Sequence, residues 1–186
     1  MLEVPDNHKI IFTEKEIQKR VAELGQTLSE DYQDKNPLLV CILRGAAVFM
    51  SDLMRHMPIQ LGIDYMAVSS YGQSTKSSGV VRILKDLDEV LESRHVLIVE
   101  DIVDSGHTLS YLMHLLGARN CASLKVATFL DRPDRREVDV KVHYTGFNIT
   151  DKFVIGYGMD FRQQYRNTPY IFTLDELPDT HIEATA

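Results

Sequence analysis

The chain has 186 residues, of which 44% are hydrophobic and 25% are charged, and its formal net charge is −7 at pH 7. This length suits one domain with a full core, and the composition is ordinary for a soluble globular protein. The negative net charge, with no run of Lys or Arg, argues against a nucleic-acid partner bound through its phosphate backbone, because such binding needs a basic face.

The two cysteines, Cys41 and Cys121, lie in apolar segments that we expect to be buried. Two cysteines are too few for a disulfide framework, so both are expected to be reduced thiols in a cytoplasmic protein. The first residues lack the basic start and apolar stretch of a signal peptide, and no apolar run is long enough to span a bilayer. The sequence therefore predicts a cytoplasmic protein with no membrane partner.

The first half of the chain predicts alternating helices and strands. Thr13 and Glu16 have the spacing of a capping box, which predicts a helix from there to about Tyr32. Apolar residues recur at helical spacing inside it. A strand, a helix and two further strands are predicted next, in this order: 37–43, 46–57, 63–70 and 80–84.

The second half continues the alternation and then becomes less regular. The run His95–Glu100 (HVLIVE) is typical of a strand that is covered on both faces in a parallel sheet. An amphipathic helix is predicted over 107–116 and a strand over 124–130. This order indicates an α/β protein with a mostly parallel sheet. Strand-like stretches at 153–157 and 170–174 are expected to belong to a small lobe over the sheet.

The segment 96–109 (VLIVEDIVDSGHTL) carries the strongest functional signal. An apolar strand delivers two adjacent acids, Glu100 and Asp101, and a third acid, Asp104, leads into the start of the next helix. The acids suit ribose hydroxyls or a Mg²⁺ ion. A generic segment of this kind would more often be a buried strand followed by a helix cap with solvated acids, so the interpretation depends on the complete string.

The start of that helix, residues 105–108 (SGHT), has the chemistry of a phosphate cradle. The first amides of a helix have no partner inside it and lie at the positive end of its dipole, so a phosphate fits without a lysine. Gly106 allows close approach of the backbone, and the hydroxyls of Ser105 and Thr108 add donors. The segment is neither a Walker A loop nor a G-x-G-x-x-G fingerprint.

The complete string closely resembles the motif that binds phosphoribosyl pyrophosphate (PRPP) in the type I phosphoribosyltransferases. The resemblance to the hypoxanthine-guanine branch, particularly its bacterial members, extends over nearly the whole chain. It implies one domain over 1–186 with the type I phosphoribosyltransferase fold, a mostly parallel twisted sheet flanked by helices. The core would span about 36–135, with a small hood formed by the N-terminal segment and about 136–186.

The resemblance also implies roles for the residues of the motif. The backbone of residues 104–108 would hold the 5′-phosphate, with His107 contributing its amide from the surface rather than acting as a catalyst. Glu100 and Asp101 would face the ribose hydroxyls and the metal-bound substrate. Asp104 would be the general base towards a ring nitrogen of the purine.

Two arginines match the family's pyrophosphate site. Leu43-Arg44-Gly45 would alone be an ordinary turn from strand to helix with a surface arginine. In the family, the corresponding loop has a non-proline cis peptide bond before the basic residue and turns its amides towards the leaving pyrophosphate. The resemblance thus implies pyrophosphate binding by Arg44 and Gly45. Arg166 matches an arginine that helps to bind the same group.

The segment 69–79 (SSYGQSTKSSG) is rich in Ser and Gly, and by composition it is simply a mobile loop. It also resembles the lid over the family's active site, with the characteristic Ser-Tyr pair at Ser70 and Tyr71. A closed lid would exclude water from the cation-like ribosyl centre, which water would otherwise capture.

The purine site is expected to be formed by two segments in the last third of the chain. At 130–133 (LDRP) the family normally has L-D-K-P, whose Lys donates to the 6-oxo group, so Arg132 would be a larger and forked donor here. Phe153 would stack on the base, and the Val154 backbone would read its edge, although without the family this stretch is just an apolar strand. Asp160 would approach the base or a second Mg²⁺, giving Glu100, Asp101 and Asp160 as the metal ligands.

Together these matches imply Mg²⁺-dependent transfer of the phosphoribosyl group from PRPP to hypoxanthine or guanine. The partners would be these small molecules, and the family suggests a homodimer or homotetramer. Xanthine remains open as a substrate, whereas adenine, with an amino group at position 6, suits a donor such as Arg132 less well. A regulator that senses PRPP and binds RNA or DNA is a rival of another class, but it would need a basic face.

Overall fold

The computed structural model describes residues 4–5, 7–70, 81–150 and 153–174. These ranges contain three α-helices, eight strands and one 3-10 turn. In chain order they are β1 (His8–Phe12), α1 (Glu14–Asp31), β2 (Leu38–Leu43), α2 (Ala46–Arg55), β3 (Gly62–Ser70), β4 (Val81–Lys85), β5 (His95–Val103), α3 (His107–Gly117), β6 (Ser123–Asp131), the 3-10 turn (Pro133–Arg135), β7 (Tyr144–Asn148) and β8 (Ile171–Leu174).

Six strands form one sheet in the order β4-β3-β2-β5-β6-β7. All neighbours are parallel except β3 and β4, which are antiparallel. The predicted α/β fold with a mostly parallel sheet is therefore confirmed. Parallel strands end at the same edge of a sheet, so the loops after β2, β5 and β6 come together there.

Helices cover both faces of this sheet. Successive side chains of a strand point to opposite faces, and β2 shows the consequence: Leu39 and Cys41 pack in one hydrophobic cluster with α1 and α2, whereas Leu38 and Val40 pack in the other with α3. Being buried on both sides, these strands have the continuous apolar sequences from which they were predicted. Cys41 is fully buried, Cys121 is only half-buried, and both are free thiols.

Helix α1 begins as predicted. The Thr13 N–H donates to Glu16 Oε2 at 2.9 Å and the Glu16 N–H donates to Thr13 Oγ1 at 3.4 Å, so the capping box is closed in both directions. The four apolar residues at helical spacing are all buried against the sheet and α2: Ile17, Val21, Leu24 and Leu28.

The structure differs from the sequence prediction in the last third. Residues 153–157 are not a strand, because Gly156 and Gly158 have φ values of 101° and 99° and Tyr157 has a φ of 48°, so the chain turns repeatedly there. β7 was not predicted, since its sequence YTGFN contains residues typical of turns. It pairs with β6 in the six-stranded sheet, although the range about 136–186 was assigned to the hood.

A second, two-stranded sheet joins the two ends of the described chain. β1 pairs antiparallel with β8, and a separate bridge links Ile155 to Phe172. Except for β7, the division into a core and a hood stays a prediction. Within the ranges described, the helices are too short or too polar to cross a membrane.

Candidate active site

Two cavities lie beyond the carboxyl ends of β5 and β6, and Ile102 and Asp104 line both. The larger has a volume of about 310 Å³, and besides Ile102 and Met159 it is lined by six residues predicted from the sequence: Asp101, Asp104, Arg132, Phe153, Val154 and Asp160. The smaller has a volume of about 120 Å³, and five predicted residues line it: Glu100, Asp104, Ser105, Gly106 and Thr108. The structure thus brings together residues that are far apart in the sequence.

The smaller cavity lies at the N-terminus of α3. Gly106 is the residue before this helix and has a φ of 89°, a conformation that a side chain would strain. A Cβ atom there would lie only 2.9 Å from Arg136 Cδ. The amides of the first helical turn have no carbonyl partner within the helix, so their donors are available to an anion in this cavity. His107 begins the helix, with its Nε2 3.0 Å from the Glu137 carboxylate.

Residues 136–138, which we call the brace, donate hydrogen bonds to the loop before α3 and hold it in place. The Ser105 carbonyl accepts the backbone N–H groups of Glu137 and Val138 at 2.9 and 3.2 Å. The Asp104 carbonyl accepts Arg136 Nη1 at 2.8 Å, while the same guanidinium pairs with the Asp131 carboxylate. The brace was not predicted from the sequence; the only signal was an Arg-Arg pair shortly after the end of β6.

Glu100 and Asp101 are adjacent on β5 and therefore point to opposite faces, Glu100 into the smaller cavity and Asp101 into the larger. Glu100 is 7% exposed. Burial, with the neighbouring charge of Asp101, raises its pKa well above the usual range. Burial also raises the pKa of Asp101, against the opposing effects of a backbone N–H donated by Ile102 and the charge of Arg166. A cation or a hydroxyl donor would stabilise the charged form of either acid.

The loop after β2 packs directly against Asp101. The peptide bond between Leu43 and Arg44 is cis, as the resemblance implied. A Cβ atom at Gly45 would lie 1.6 Å from Asp101 Oδ2, so only glycine leaves this carboxylate in place. Gly158 in turn lies against the Gly45 carbonyl, where a Cβ atom would lie at 2.1 Å. The loop at Gly45 is therefore packed between Asp101 and Gly158, with no room for a side chain at position 45 or 158.

Arg132 lies in the wall of the larger cavity and is only 4% exposed. Its Nη1 lies 3.5 Å from Asp104 Oδ2. Its Nε and Nη2, and Asp104 Oδ1, are buried without a hydrogen-bond partner among the described residues. Buried donors and acceptors without partners cost about 1–3 kcal/mol each, so their presence beside a cavity points to a ligand that completes them. Such a ligand would carry an acceptor for Arg132 and a donor for Asp104.

Phe153 and Val154 form part of the wall of the larger cavity. Phe153 is 37% exposed, and its ring contacts that of Phe161 edge to face at 5.9 Å between centroids. Thr173 Oγ1 donates to its carbonyl at 2.7 Å, which fixes the backbone. An aromatic ring exposed at the wall of a cavity offers a stacking surface for a planar ligand.

Arg44 and Arg166 are joined by a residue that the sequence did not indicate. Arg166 Nη1 donates to the Gly158 carbonyl at 2.8 Å, and its Nη2 lies 2.6 Å from Asp160 Oδ1. Gln163 Oε1 accepts Arg44 Nη1 at 3.1 Å and Arg166 Nη2 at 3.2 Å. The two predicted pyrophosphate ligands therefore meet at one side-chain oxygen, although they are 122 positions apart in the sequence.

The predicted metal ligands do not form a cage in the part of the chain that the structure describes, where no group of three or more Asp, Glu, His or Cys side chains could hold a metal ion. Glu100 lines one cavity, while Asp101 and Asp160 line the other. This arrangement fits Mg²⁺, which is commonly held by one or two carboxylates together with substrate phosphates and water. Their oxygen atoms are also the ligand type that Mg²⁺ prefers.

Two of the predicted residues have side chains that the structure does not describe. Ser70 ends β3, and only its backbone lies within the described residues. Tyr71 and the rest of the predicted lid up to Gly79 lie outside them.

Comparison with known proteins agrees with this geometry. A phosphoribosyl transferase domain model matches residues 8–162. The hypoxanthine-guanine phosphoribosyltransferase of Bacillus subtilis (strain 168) is 51% identical over 169 residues, which cover 91% of this chain and 94% of that protein. The protein of the same name from Streptococcus thermophilus (strain CNRZ 1066) is 46% identical over 171 residues, covering 92% and 95%.

Solved structures give the same result. The crystal structure of a hypoxanthine phosphoribosyltransferase from Staphylococcus aureus superposes with a TM-score of 0.86 at 48% identity, covering 89% of this chain and 90% of that one. A hypoxanthine phosphoribosyl transferase from Trypanosoma cruzi gives a TM-score of 0.86 at 39% identity, covering 93% and 94%. The sheet and its flanking helices thus have the type I phosphoribosyltransferase fold, and the chain belongs to the phosphoribosyl transferase domain family.

Proposed function

We propose that the protein transfers the 5-phosphoribosyl group of PRPP to N9 of hypoxanthine or guanine in purine salvage. The products are inosine or guanosine monophosphate (IMP or GMP) and pyrophosphate. The observation that carries the proposal is the group of unpartnered buried atoms on Arg132 and Asp104. Both residues line the larger cavity, which adjoins the smaller cavity at the start of α3. Two relatives that match most of the chain are named for this reaction.

The two cavities divide the substrates between them. The 5′-phosphate of PRPP binds in the smaller cavity, at the amides of residues 104–108 and the hydroxyls of Ser105 and Thr108. The base binds in the larger cavity, stacked on Phe153, with its edge against the Val154 backbone. Arg132 donates to the 6-oxo group, which adenine lacks. Because Asp104 borders both cavities, the bond between base and ribose forms beside it.

In the reaction, N9 of the base attacks C1 of the ribose as the bond from C1 to the pyrophosphate oxygen breaks. Asp104 accepts the proton that leaves N7 of the base, a role worth about 10²–10⁴-fold in rate. Arg44, the Gly45 amide and Arg166 receive the pyrophosphate and offset the charge that develops on it. A lid that includes Ser70 and Tyr71 excludes water from the ribosyl centre during transfer.

Mg²⁺ bound to PRPP supplies further positive charge at the leaving group. Glu100, Asp101 and Asp160 are the residues that would hold it with the substrate. Burial disfavours the charged forms of Glu100 and Asp101 when no cation is present. Binding of PRPP with Mg²⁺ would bring a cation that stabilises both carboxylates in their charged forms.

We further infer that the protein acts in the cytoplasm as a homodimer or homotetramer. The chain covers 94% of the B. subtilis hypoxanthine-guanine phosphoribosyltransferase. The T. cruzi structure concerns the role of a C-terminal region in that protein's oligomeric state. Size-exclusion chromatography with light scattering would distinguish these two assemblies from a monomer.

The test is nucleotide formation from PRPP and Mg²⁺ with hypoxanthine, guanine, xanthine and adenine measured side by side. We expect turnover with hypoxanthine or guanine well above that with adenine. Turnover with adenine alone would contradict the assignment of the base. No turnover with any base, together with tight binding of PRPP, would favour a regulator over an enzyme.

A further inference from the structure

The carboxamide of Gln163 occupies a position between the two arginines proposed to receive pyrophosphate. Its Oε1 accepts Arg44 Nη1 at 3.1 Å and Arg166 Nη2 at 3.2 Å. A carbonyl oxygen has two lone pairs, so one Gln side chain satisfies one donor from each arginine. Two guanidinium groups repel each other, and a shared acceptor offsets that repulsion and holds both at one point.

The neutrality of this acceptor matters for the site. A guanidinium has five N–H donors, so each arginine keeps donors for phosphate oxygens after bonding to Gln163. The carboxamide carries no net charge and leaves the charge of Arg44 available to an anion. Asp160 already pairs with Arg166, so a neutral residue is the partner that removes least of the remaining positive charge.

Gln163 is itself held by its own backbone. Its N–H donates to Asp160 Oδ2 at 2.8 Å, and it sits in a tight turn closed by reciprocal backbone bonds between Phe161 and Gln164 at 3.2 and 3.0 Å. Its φ is 63°, within the left-handed region. The base of the side chain is thus fixed, and the oxygen at its end has a defined place between the arginines.

We propose that Gln163 is a positioning residue that orients Arg44 and Arg166 for binding of the pyrophosphate group. The inference rests on the proposed function of the site, because it assigns pyrophosphate to these two arginines. It predicts that substitution of the Gln163 side chain weakens binding of PRPP and pyrophosphate but leaves purine binding unchanged. Among the described residues this side chain has no hydrogen bond to Arg132, Phe153 or Val154, and it does not line the larger cavity.

Two variants remove the shared acceptor in different ways. Gln163→Leu keeps the approximate size of the side chain and removes its oxygen. Gln163→Asn keeps the amide and favours the left-handed backbone, but it draws the oxygen back by one methylene, so it protects the test against a failure to fold. For both we expect KM for PRPP, and KM for pyrophosphate in the reverse reaction, to rise about tenfold, with KM for hypoxanthine and Tm unchanged.

Two further variants serve as comparison and control. Gln163→Glu keeps an oxygen at the same reach but adds a negative charge between the arginines, so both KM values are expected to rise although the acceptor remains. Values within about threefold of wild type would contradict the argument from neutrality. Gln164→Leu makes the same chemical change at the next, exposed residue and should leave all constants unchanged. If Gln163→Leu and Gln164→Leu behave alike, or if the KM for hypoxanthine rises as much as that for PRPP, the inference is wrong.

A double-mutant cycle tests whether Gln163 acts through the arginines. In an Arg44→Ala chain, the penalty of Gln163→Leu should shrink at least threefold, because one of the two groups that it positions is gone. Penalties that simply multiply would show that Gln163 acts independently, and would overturn the inference.

Calorimetric titration of the full chain with magnesium pyrophosphate separates this inference from the proposed function. The proposed function is judged by turnover of the wild-type protein. Should that turnover be absent, the titration still decides the inference: weaker binding by Gln163→Leu, with Gln164→Leu unchanged, supports it, and equal binding by all three chains contradicts it.

Discussion

The Arg132 guanidinium lies 3.5 Å from the Asp104 carboxylate, and two of its nitrogen atoms and one carboxylate oxygen remain without partners among the described residues. We expect Arg132→Leu to lower kcat/KM for hypoxanthine by roughly 10–100-fold, the value of a lost hydrogen bond to a charged group. The ratio of hypoxanthine to adenine turnover should fall with it.

Arg132→Lys is the control for Arg132→Leu, since it keeps a cationic donor and loses only the planar, forked arrangement of the guanidinium N–H groups. It should keep the preference for a 6-oxo base over adenine. Steady-state kinetics with both bases provide the measurement, and a ratio that is unchanged in Arg132→Leu would exclude Arg132 from recognition of the base.

Asp104 is proposed as the general base, and its replacement tests that role directly. Asp104→Asn is expected to lower kcat by about 10²–10⁴-fold with little change in KM, because the amide keeps the shape of the side chain and cannot take the proton. A kcat within threefold of wild type would show that another group accepts the proton. The unfolding midpoint should be measured alongside, to show that the loss is not one of stability.

Gly45 lies where any side chain would collide with Asp101. In Gly45→Ala the new Cβ atom would lie 1.6 Å from Asp101 Oδ2, so the loop or the carboxylate must shift. Misplacement of a site by about 1 Å can cost about 10²-fold, and we expect a loss of at least that size in kcat/KM for PRPP. Gly117→Ala is the control, because the nearest atom to its Cβ would be at an ordinary 3.9 Å. Full activity of Gly45→Ala would contradict the proposed role of this contact.

The contacts of Asp31, at the end of α1, predict that part of the free energy of unfolding depends on pH in the acid range. Tyr144 Oη donates to its carboxylate, which holds the pKa below its usual value of 3.8, with Lys125 as a further contributor. A lowered folded-state pKa means that this stabilisation is present above about pH 4 and is lost as the pH falls through the folded-state pKa.

Urea unfolding of wild type, Asp31→Asn and Tyr144→Phe at pH 7, 5 and 3 measures this effect. The free energy of unfolding of wild type should exceed that of each variant at pH 7 and pH 5. The difference should narrow at pH 3. A difference that grows towards low pH would have the wrong sign for this explanation.

The residues of the 100–108 motif were predictable because the strand, the acids and the start of the helix are contiguous in sequence, so their chemistry can be interpreted locally. The structure places Glu100, Asp101 and Asp104 at the two cavities. Gln163 and Arg136 were not predictable in this way. Each has one partner far away in the sequence, at 119 and 32 positions, and nothing in a single sequence specifies which distant groups a polar side chain will meet.

The strands also show what can and what cannot be predicted from a single sequence. The buried strands β2, β5 and β6 were predicted because burial on both faces requires continuous apolar residues. The end of β5 was placed too early, at Glu100, because acids usually end a strand. The strand continues to Val103, since Ile102 and Val103 still pair with β6. Residues 153–157 show the opposite error, because this apolar stretch forms only isolated bridges, such as that of Ile155 with Phe172, between turns and not a continuous strand.

Asp104 has its carboxylate at the wall of the larger cavity and its carbonyl tied to Arg136, whose other partner, Asp131, directly precedes Arg132 in the chain. The proposed phosphate and base sites therefore share one short stretch of backbone, and we expect binding at one to be energetically coupled to binding at the other. By linkage, PRPP binding must change the affinity for the base by the same factor by which base binding changes the affinity for PRPP. The affinity measured for either substrate is thus expected to depend on whether the other is already bound.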